Sequence, residues 1–163
     1  MILPGGSLVL LVGPPAAGKS TLATALVAAG EVAADDVLSI DTRRSDAGGR
    51  GRDPAMWERV RHELDERMAA GRTTVIDATN INPARRALHL AVAQAHGRPV
   101  VAIRFEVDAA ELVERNAGRK AAVPQATVIT LAVEMDELAD VSTLRTDGVD
   151  LVLDADDVRQ RLP

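Results

Sequence analysis

Residues 7–21 read Ser7-Leu8-Val9-Leu10-Leu11-Val12-Gly13-Pro14-Pro15-Ala16-Ala17-Gly18-Lys19-Ser20-Thr21. The stretch 7–12 is apolar without alternation, the pattern of a strand covered on both faces in a parallel sheet. Gly13 to Ser20 then fits G-x-x-x-x-G-K-[ST] in full. The glycines let the backbone curl until its N–H groups converge on phosphate oxygens. The lysine reaches the β- and γ-phosphates, the serine hydroxyl ligates Mg²⁺, and the helix that opens here adds its dipole. Following a buried strand and starting a helix, the pattern marks a nucleoside-triphosphate site. Its ATP would be bound by Gly13, Ala16, Ala17, Gly18, Lys19, Ser20 and Thr21, with Ser20 on Mg²⁺.

Outward from this stretch, short apolar runs alternate with helical patterns. Further strands are expected at 37–40, 73–78, 100–107 and 150–153. Helices are expected at 20–29, from Pro54 to Gly71, from Asn82 to Gly97, at 109–116, from Pro124 onward, and after 153. Their predicted buried faces are Trp57, Val60, Leu64 and Met68; Leu88, Val92 and Ala95; and Val128, Ala132, Met135 and Leu138. Residues 42–52 hold Gly48, Gly49, Gly51 and four Arg, which signals a mobile loop. The alternation implies one α/β domain over 1–163, a parallel sheet of about five strands flanked by helices. Ligands in such sheets bind beyond the carboxyl ends of the strands, here at 13–20, 41–52, 77–82, around 108 and after 153.

Composition removes several classes. The 163 residues are 47% hydrophobic and include no cysteine, which excludes disulfides, thiolate zinc sites and cysteine nucleophiles. His62, His89 and His96 are a poor basis for a metal centre. No apolar run approaches the ~18–20 residues that span a bilayer, and the start shows no basic leader, so a cytoplasmic protein is expected. The net charge of −5 gives no global basic field for nucleic acid. Any polyanion must be held by local clusters. Trp57 and Phe105 are the only aromatic residues, too few for a platform that stacks several bases.

The absence of an Asn-Lys-x-Asp motif argues against a GTPase. Motor-type ATPases usually end the partner strand with Asp-Glu, whereas Asp77 is followed by Ala78. The chain also leaves no room for a helical lid domain with sensor arginines. A small phosphotransferase remains, with three further clusters at strand ends. Asp41 can accept a proton from an attacking hydroxyl, and Arg44 can clamp an anion bidentately. Asp77 can orient Mg²⁺-bound water or hold a substrate-binding Arg, while Asn82 reads as a helix N-cap. Arg115 and Arg119 belong to a basic segment, 115–120, able to close over a triphosphate as an arginine finger from the same chain.

Taken in order, the phosphate loop, Asp41-x-x-Arg44, Asp77-Ala78-Thr79-Asn80-Ile81-Asn82-Pro83-Ala84-Arg85-Arg86, Arg115-Asn116-x-x-Arg119 and Val123-Pro124 resemble the kinase domain of bacteriophage-type polynucleotide 5′-hydroxyl kinases. The resemblance runs over roughly residues 7–140. It implies a P-loop kinase fold with a short arginine-bearing lid at about 114–125 and an acceptor-side loop at about 42–52. It implies transfer of the ATP γ-phosphate to the 5′-OH end of DNA or RNA. Lys19 and Ser20 would then hold the triphosphate and Mg²⁺, and Asp41 would be the general base. Arg44 would bind the phosphate beside the accepting nucleoside, and Arg119 would be the lid arginine. The phage enzyme's Asp-x-Asp-Gly-Thr phosphatase motif has no counterpart here, and the segment between Arg119 and Val123 is one residue shorter. The alternatives are a small-molecule kinase acting on a sugar, nucleoside or antibiotic hydroxyl, and a non-catalytic ATP-binding regulatory module.

Overall fold

The computed structural model describes residues 1–40 and 54–163. Asp41, Arg44 and the 42–52 loop lie outside the described residues. Five strands, β1 (Leu8–Val12), β2 (Val37–Ser39), β3 (Thr74–Asp77), β4 (Val100–Arg104) and β5 (Leu151–Asp154), form one sheet in the order β2-β3-β1-β4-β5. Every pairing is parallel, with Leu8 opposite both Thr74 and Val100. The helices are α1 (Lys19–Ala28), α2 (Pro54–Ala69), α3 (Pro83–Ala95), α4 (Ala109–Ala117), α5 (Gln125–Leu138), α6 (Val141–Asp147) and α7 (Ala155–Arg161). Among the described residues no helix is long and apolar enough to cross a membrane.

The unalternating β1 is buried on both faces, as a central parallel strand requires. Leu8, Leu10 and Val12 join a core with Met56, Val60, Leu64 and Met68 of α2 and Leu90 of α3. Val9 and Leu11 join a second core with Leu22 and Leu26 of α1, Leu112 of α4 and Val158 of α7. Each layer needs the sheet between them, so the β1 tip and the loop after it are held from both sides.

Two predicted faces are rotated. In α2 the buried stripe begins at Met56, four residues before Val60, and Trp57 is only partly buried at its margin. In α3 the buried residues are Arg86, His89, Leu90, Val92 and Ala93, and Leu88 is 58% exposed. A buried cation turns this helix. The Arg86 guanidinium points inward onto backbone carbonyls, and Leu88, about 200° further round the helix, is sent to solvent.

Other departures are local. β4 stops at Arg104 rather than continuing to 107; the Arg104 side chain there donates from Nε to Ala139 O at 2.8 Å and also meets Glu106 and Asp136. The short α6 was not anticipated. It is framed by the Asp140 carboxylate, which accepts from Thr143 N at 2.8 Å, and by Gly148 at φ +108°. The 3-10 turn Ala34–Asp36 is equally new. Its Asp36 pairs with Arg72 at 2.7 Å and Arg67 at 3.3 Å.

Burial of His89 makes stability depend on pH. Desolvation, helped by the Arg85 charge, lowers its pKa to about 4 from 6.5. The ring is neutral in both states above pH 6.5, so its contribution is complete there. As pH falls from 6.5 to 4 the unfolded chain takes up a proton that the folded chain refuses. Stability falls through that window by about 3 kcal/mol and then levels off. Urea unfolding at pH 7 and pH 4.5 measures the loss, and His89→Leu removes this component of the slope.

Candidate active site

The loop after β1 is shaped by close approach as much as by glycine freedom. Gly13 lies so near the Phe105 side chain that a Cβ would sit 2.8 Å from Phe105 Cβ. Gly18 has φ +95°, and a Cβ there would meet Arg159 Nη2 at 2.8 Å. Ala16 is left-handed too, at φ +67°. Lys19, buried in the first turn of α1, reaches back across the loop. Its Nζ donates to Gly13 O at 2.9 Å and Pro14 O at 2.7 Å.

A cavity of about 580 Å³ opens over this loop. Ala16, Gly18, Lys19, Ser20 and Thr21 line it, Asp77 and Thr79 from the tip of β3 form one wall, and Arg115 and Arg119 form another. The structure therefore brings together the donors expected from the sequence on each side of the P-loop. Gly13 and Ala17 do not line the cavity. Gly13 N donates to Thr79 O at 3.0 Å, Ala17 N points to Pro14 O at 3.4 Å, and the Ala17 methyl is buried in the core. These two residues shape the loop. Asp41 and Arg44 lie outside the described residues.

Ser20 is exposed on α1, and Asp77 is buried at the end of β3. Their hydroxyl and carboxylate are the hard oxygen donors that suit Mg²⁺. Among the described residues there is no cluster of three His, Cys, Asp or Glu able to hold a metal by itself. A cation here would take most of its ligands from nucleotide phosphates and water, as Mg²⁺ commonly does.

The segment after β3 is bolted to the phosphate loop by a residue the sequence reading left without a role. Asn80 adopts φ +51°, and its amide donates to Leu11 O at 2.8 Å and Ile76 O at 3.1 Å. Asn82 is the N-cap expected of it, accepting from Arg85 N at 3.2 Å. Arg86, in the same run, is wholly buried and serves structure.

Asn116 is a second missed residue. It is buried, with Nδ2 donating to Val123 O at 2.8 Å and Oδ1 accepting from Val123 N at 3.1 Å. This paired amide closes the base of the connection 118–124 that carries Arg119. Arg115, just before it, pairs with Glu111 one turn back. Asn116→Ala removes both bonds and releases the connection. We expect the KM for ATP to rise about tenfold with a smaller change in melting temperature, read by steady-state kinetics beside thermal unfolding.

A smaller pocket of about 220 Å³ adjoins the phosphate cavity and shares Arg115 with it. Arg159 of α7 lines it, with Cζ 5.4 Å from the Phe105 ring centroid. Arg115 apart, only the strand-end rule pointed to this region. A third pocket, of about 30 Å³, shares Thr79 with the phosphate cavity.

Phosphate loop, parallel sheet and flanking helices define a P-loop kinase-like, nucleotide-binding fold. The chain belongs to the family described as AAA domain, whose model matches residues 8–144. Solved structures similar to it include a gluconokinase from Sinorhizobium meliloti 1021, at 17% identity and TM-score 0.59, covering 98% of this chain and 91% of that one. The Pnkp1/Rnl/Hen1 complex also matches, at 20% identity and TM-score 0.57, over 76% of this chain and 43% of that one. At these identities the likeness is one of fold. No curated protein matches in sequence.

Proposed function

We propose that the protein is an ATP- and Mg²⁺-dependent phosphotransferase that moves the γ-phosphate of ATP to the 5′-OH end of DNA or RNA. The observation that carries a transfer reaction is the single cavity in which Lys19, Ser20, Arg115 and Arg119 face Asp77 and Thr79. Lys19, Arg115, Arg119 and the first residues of α1 line this cavity together with Asp77 at the tip of β3, the strand that pairs with β2, from where an acceptor would approach. The nucleoside would lie toward Arg115 and Arg159. Lys19 and Arg119 would hold the transferring phosphate, and Mg²⁺ bound there would neutralise charge between the β- and γ-phosphates. Asp41 would take the proton of the acceptor hydroxyl, and Arg44 would hold the adjoining phosphate of the strand. The connection 118–124 would act as the lid.

The polynucleotide acceptor rests on the ordered motifs that include Asp41-x-x-Arg44 and Arg115-Asn116-x-x-Arg119. The chain's net negative charge favours a second reading, a kinase for a small hydroxyl compound. Incubation with γ-labelled ATP, Mg²⁺ and 5′-OH DNA, RNA, nucleoside 3′-monophosphates and neutral sugars separates the two. We expect label on oligonucleotide. Asp41→Asn should lower that transfer about 10²–10⁴-fold, and Arg44→Ala should raise the KM for the strand. Label on a sugar alone, or an Arg44→Ala variant as active as the parent, refutes the polynucleotide reading.

A further inference from the structure

The pocket of about 220 Å³ beside the phosphate cavity is assembled from distant parts of the chain. Arg115 reaches it from α4 and Arg159 from α7, and the turn after β4 completes the lining. None of residues 13–21 lines it, and Arg115 is what it shares with the phosphate cavity. Its volume is below the ~300–1,000 Å³ of pockets that enclose a whole small ligand. It therefore suits one end of a ligand whose other end occupies the adjoining cavity.

Arg159 connects this pocket to the phosphate loop. A Cβ on Gly18, the N-cap of α1, would meet Arg159 Nη2 at 2.8 Å. The same guanidinium lies over the Phe105 ring, with Cζ 5.4 Å from the centroid, and the ring is buried. A flat cation is thus backed by an aromatic face, and planar groups stack well on guanidinium. Nη1 donates to Asp156, three residues back on α7, and the side chain stays 38% exposed.

Charge decides which end of a nucleotide enters. Arg115 and Arg159 are each met by a carboxylate of their own helix, Glu111 and Asp156. Glu106 and Asp154 line the pocket as well, so two cations stand against four carboxylates, a formal charge of −2. A further phosphate is repelled there, whereas a neutral ring with N–H donors finds acceptors.

We infer that Arg159 is a nucleotide-binding residue supplied by the last helix, its guanidinium stacking on the base of the donor while Lys19 and Ser20 hold the phosphates. This deepens the proposed reaction and rests on it for ATP as the donor.

Three ligands divide the contact, each titrated calorimetrically with Mg²⁺: ADP, ribose 5′-diphosphate (ADP without its base) and pyrophosphate. We expect Arg159→Ala to weaken ADP about tenfold and to leave the other two within about twofold of the parent. Arg159→Lys keeps the charge and loses the flat face, so it should bind ADP as weakly as the alanine variant. Arg161→Ala removes an exposed charge from the same helix and should bind all three ligands like the parent. Equal weakening of all three ligands by Arg159→Ala would mean a distorted phosphate loop and overturns the inference. Rescue of ADP binding by lysine overturns it too, as does an alanine variant that binds ADP like the parent. These titrations need no acceptor, so such results leave the phosphotransferase reading to its own transfer assay. Parent protein that binds none of the three ligands sinks both.

Discussion

Lys19→Met is expected to lower phosphate transfer from ATP by about 10²–10³-fold, the usual cost of removing one electrostatic stabiliser from a water-poor site. The position of Lys19 explains why so much depends on one ammonium. Buried at the start of α1, it is held by the carbonyls of Gly13 and Pro14 at 2.9 and 2.7 Å. Its charge therefore sits where the proposed triphosphate would arrive, with little side-chain entropy left to lose. Methionine matches the length of the stem and removes the charge. It also leaves two loop carbonyls short of a donor, so the fold should lose about 1–3 kcal/mol. The two effects separate experimentally. Thermal unfolding without nucleotide reports the carbonyls, and the upward shift of melting temperature with ADP and Mg²⁺ reports the phosphate contact, which should nearly vanish. Arginine should not rescue, since a planar fork cannot replace a compact ammonium threaded between two carbonyls. A Lys19→Met enzyme that keeps activity within about tenfold would place the main stabilising charge elsewhere, Arg119 being the next candidate.

What could be read from the chain follows the range of the physics involved. β1 and the loop after it were legible because a buried parallel strand must be apolar throughout and because phosphate chemistry restricts four positions in eight. Asn82 was legible for the same reason, since an N-cap acts on its own helix within three residues. Illegible were groups whose partners are distant in sequence. Asn80 reaches Leu11 across 69 positions, Arg86 reaches Asp147 across 61, and Arg159 comes to Gly18 only because β5 closes the far edge of the sheet. Periodicity failed where a polar residue took a core position. In α3 Arg86 is inside and Leu88 outside, an inversion that hydrophobic spacing cannot express. Of the residues that line the cavity, Lys19, Ser20, Asp77 and Arg119 were expected from motif and strand-end position. Trp57 was taken for core because its spacing with Val60, Leu64 and Met68 left no way to see that Met56 is the better fit by one residue.

Arg86→Met should cost about 3–5 kcal/mol, near the whole stability of some domains of this size. The guanidinium is completely buried. It donates to Asn80 O at 3.0 Å, Ile81 O at 2.5 Å and Leu138 O at 2.6 Å, and pairs with Asp147 at 2.5 Å. These partners belong to the β3–α3 segment, the end of α5 and the end of α6, so one side chain ties three chain segments to one point. Methionine fills most of the volume but leaves three carbonyls and a carboxylate without their donor. Asp147→Asn should cost less, because Asp147 is 26% exposed and water can replace part of its role. In a double-mutant cycle the pair should show a coupling of about 0.5–3 kcal/mol, with the larger remainder of the Arg86 effect coming from its carbonyl contacts. The consequence reaches the chemistry through Asn80. The carbonyl that Arg86 holds belongs to the residue whose amide grips Leu11, and the next residue upstream, Thr79, accepts from Gly13. If this chain of contacts positions the phosphate cavity, Arg86→Met protein that remains folded at low temperature should lose kcat as well as stability. Asp147→Asn, which keeps all three carbonyl contacts, should lose stability alone.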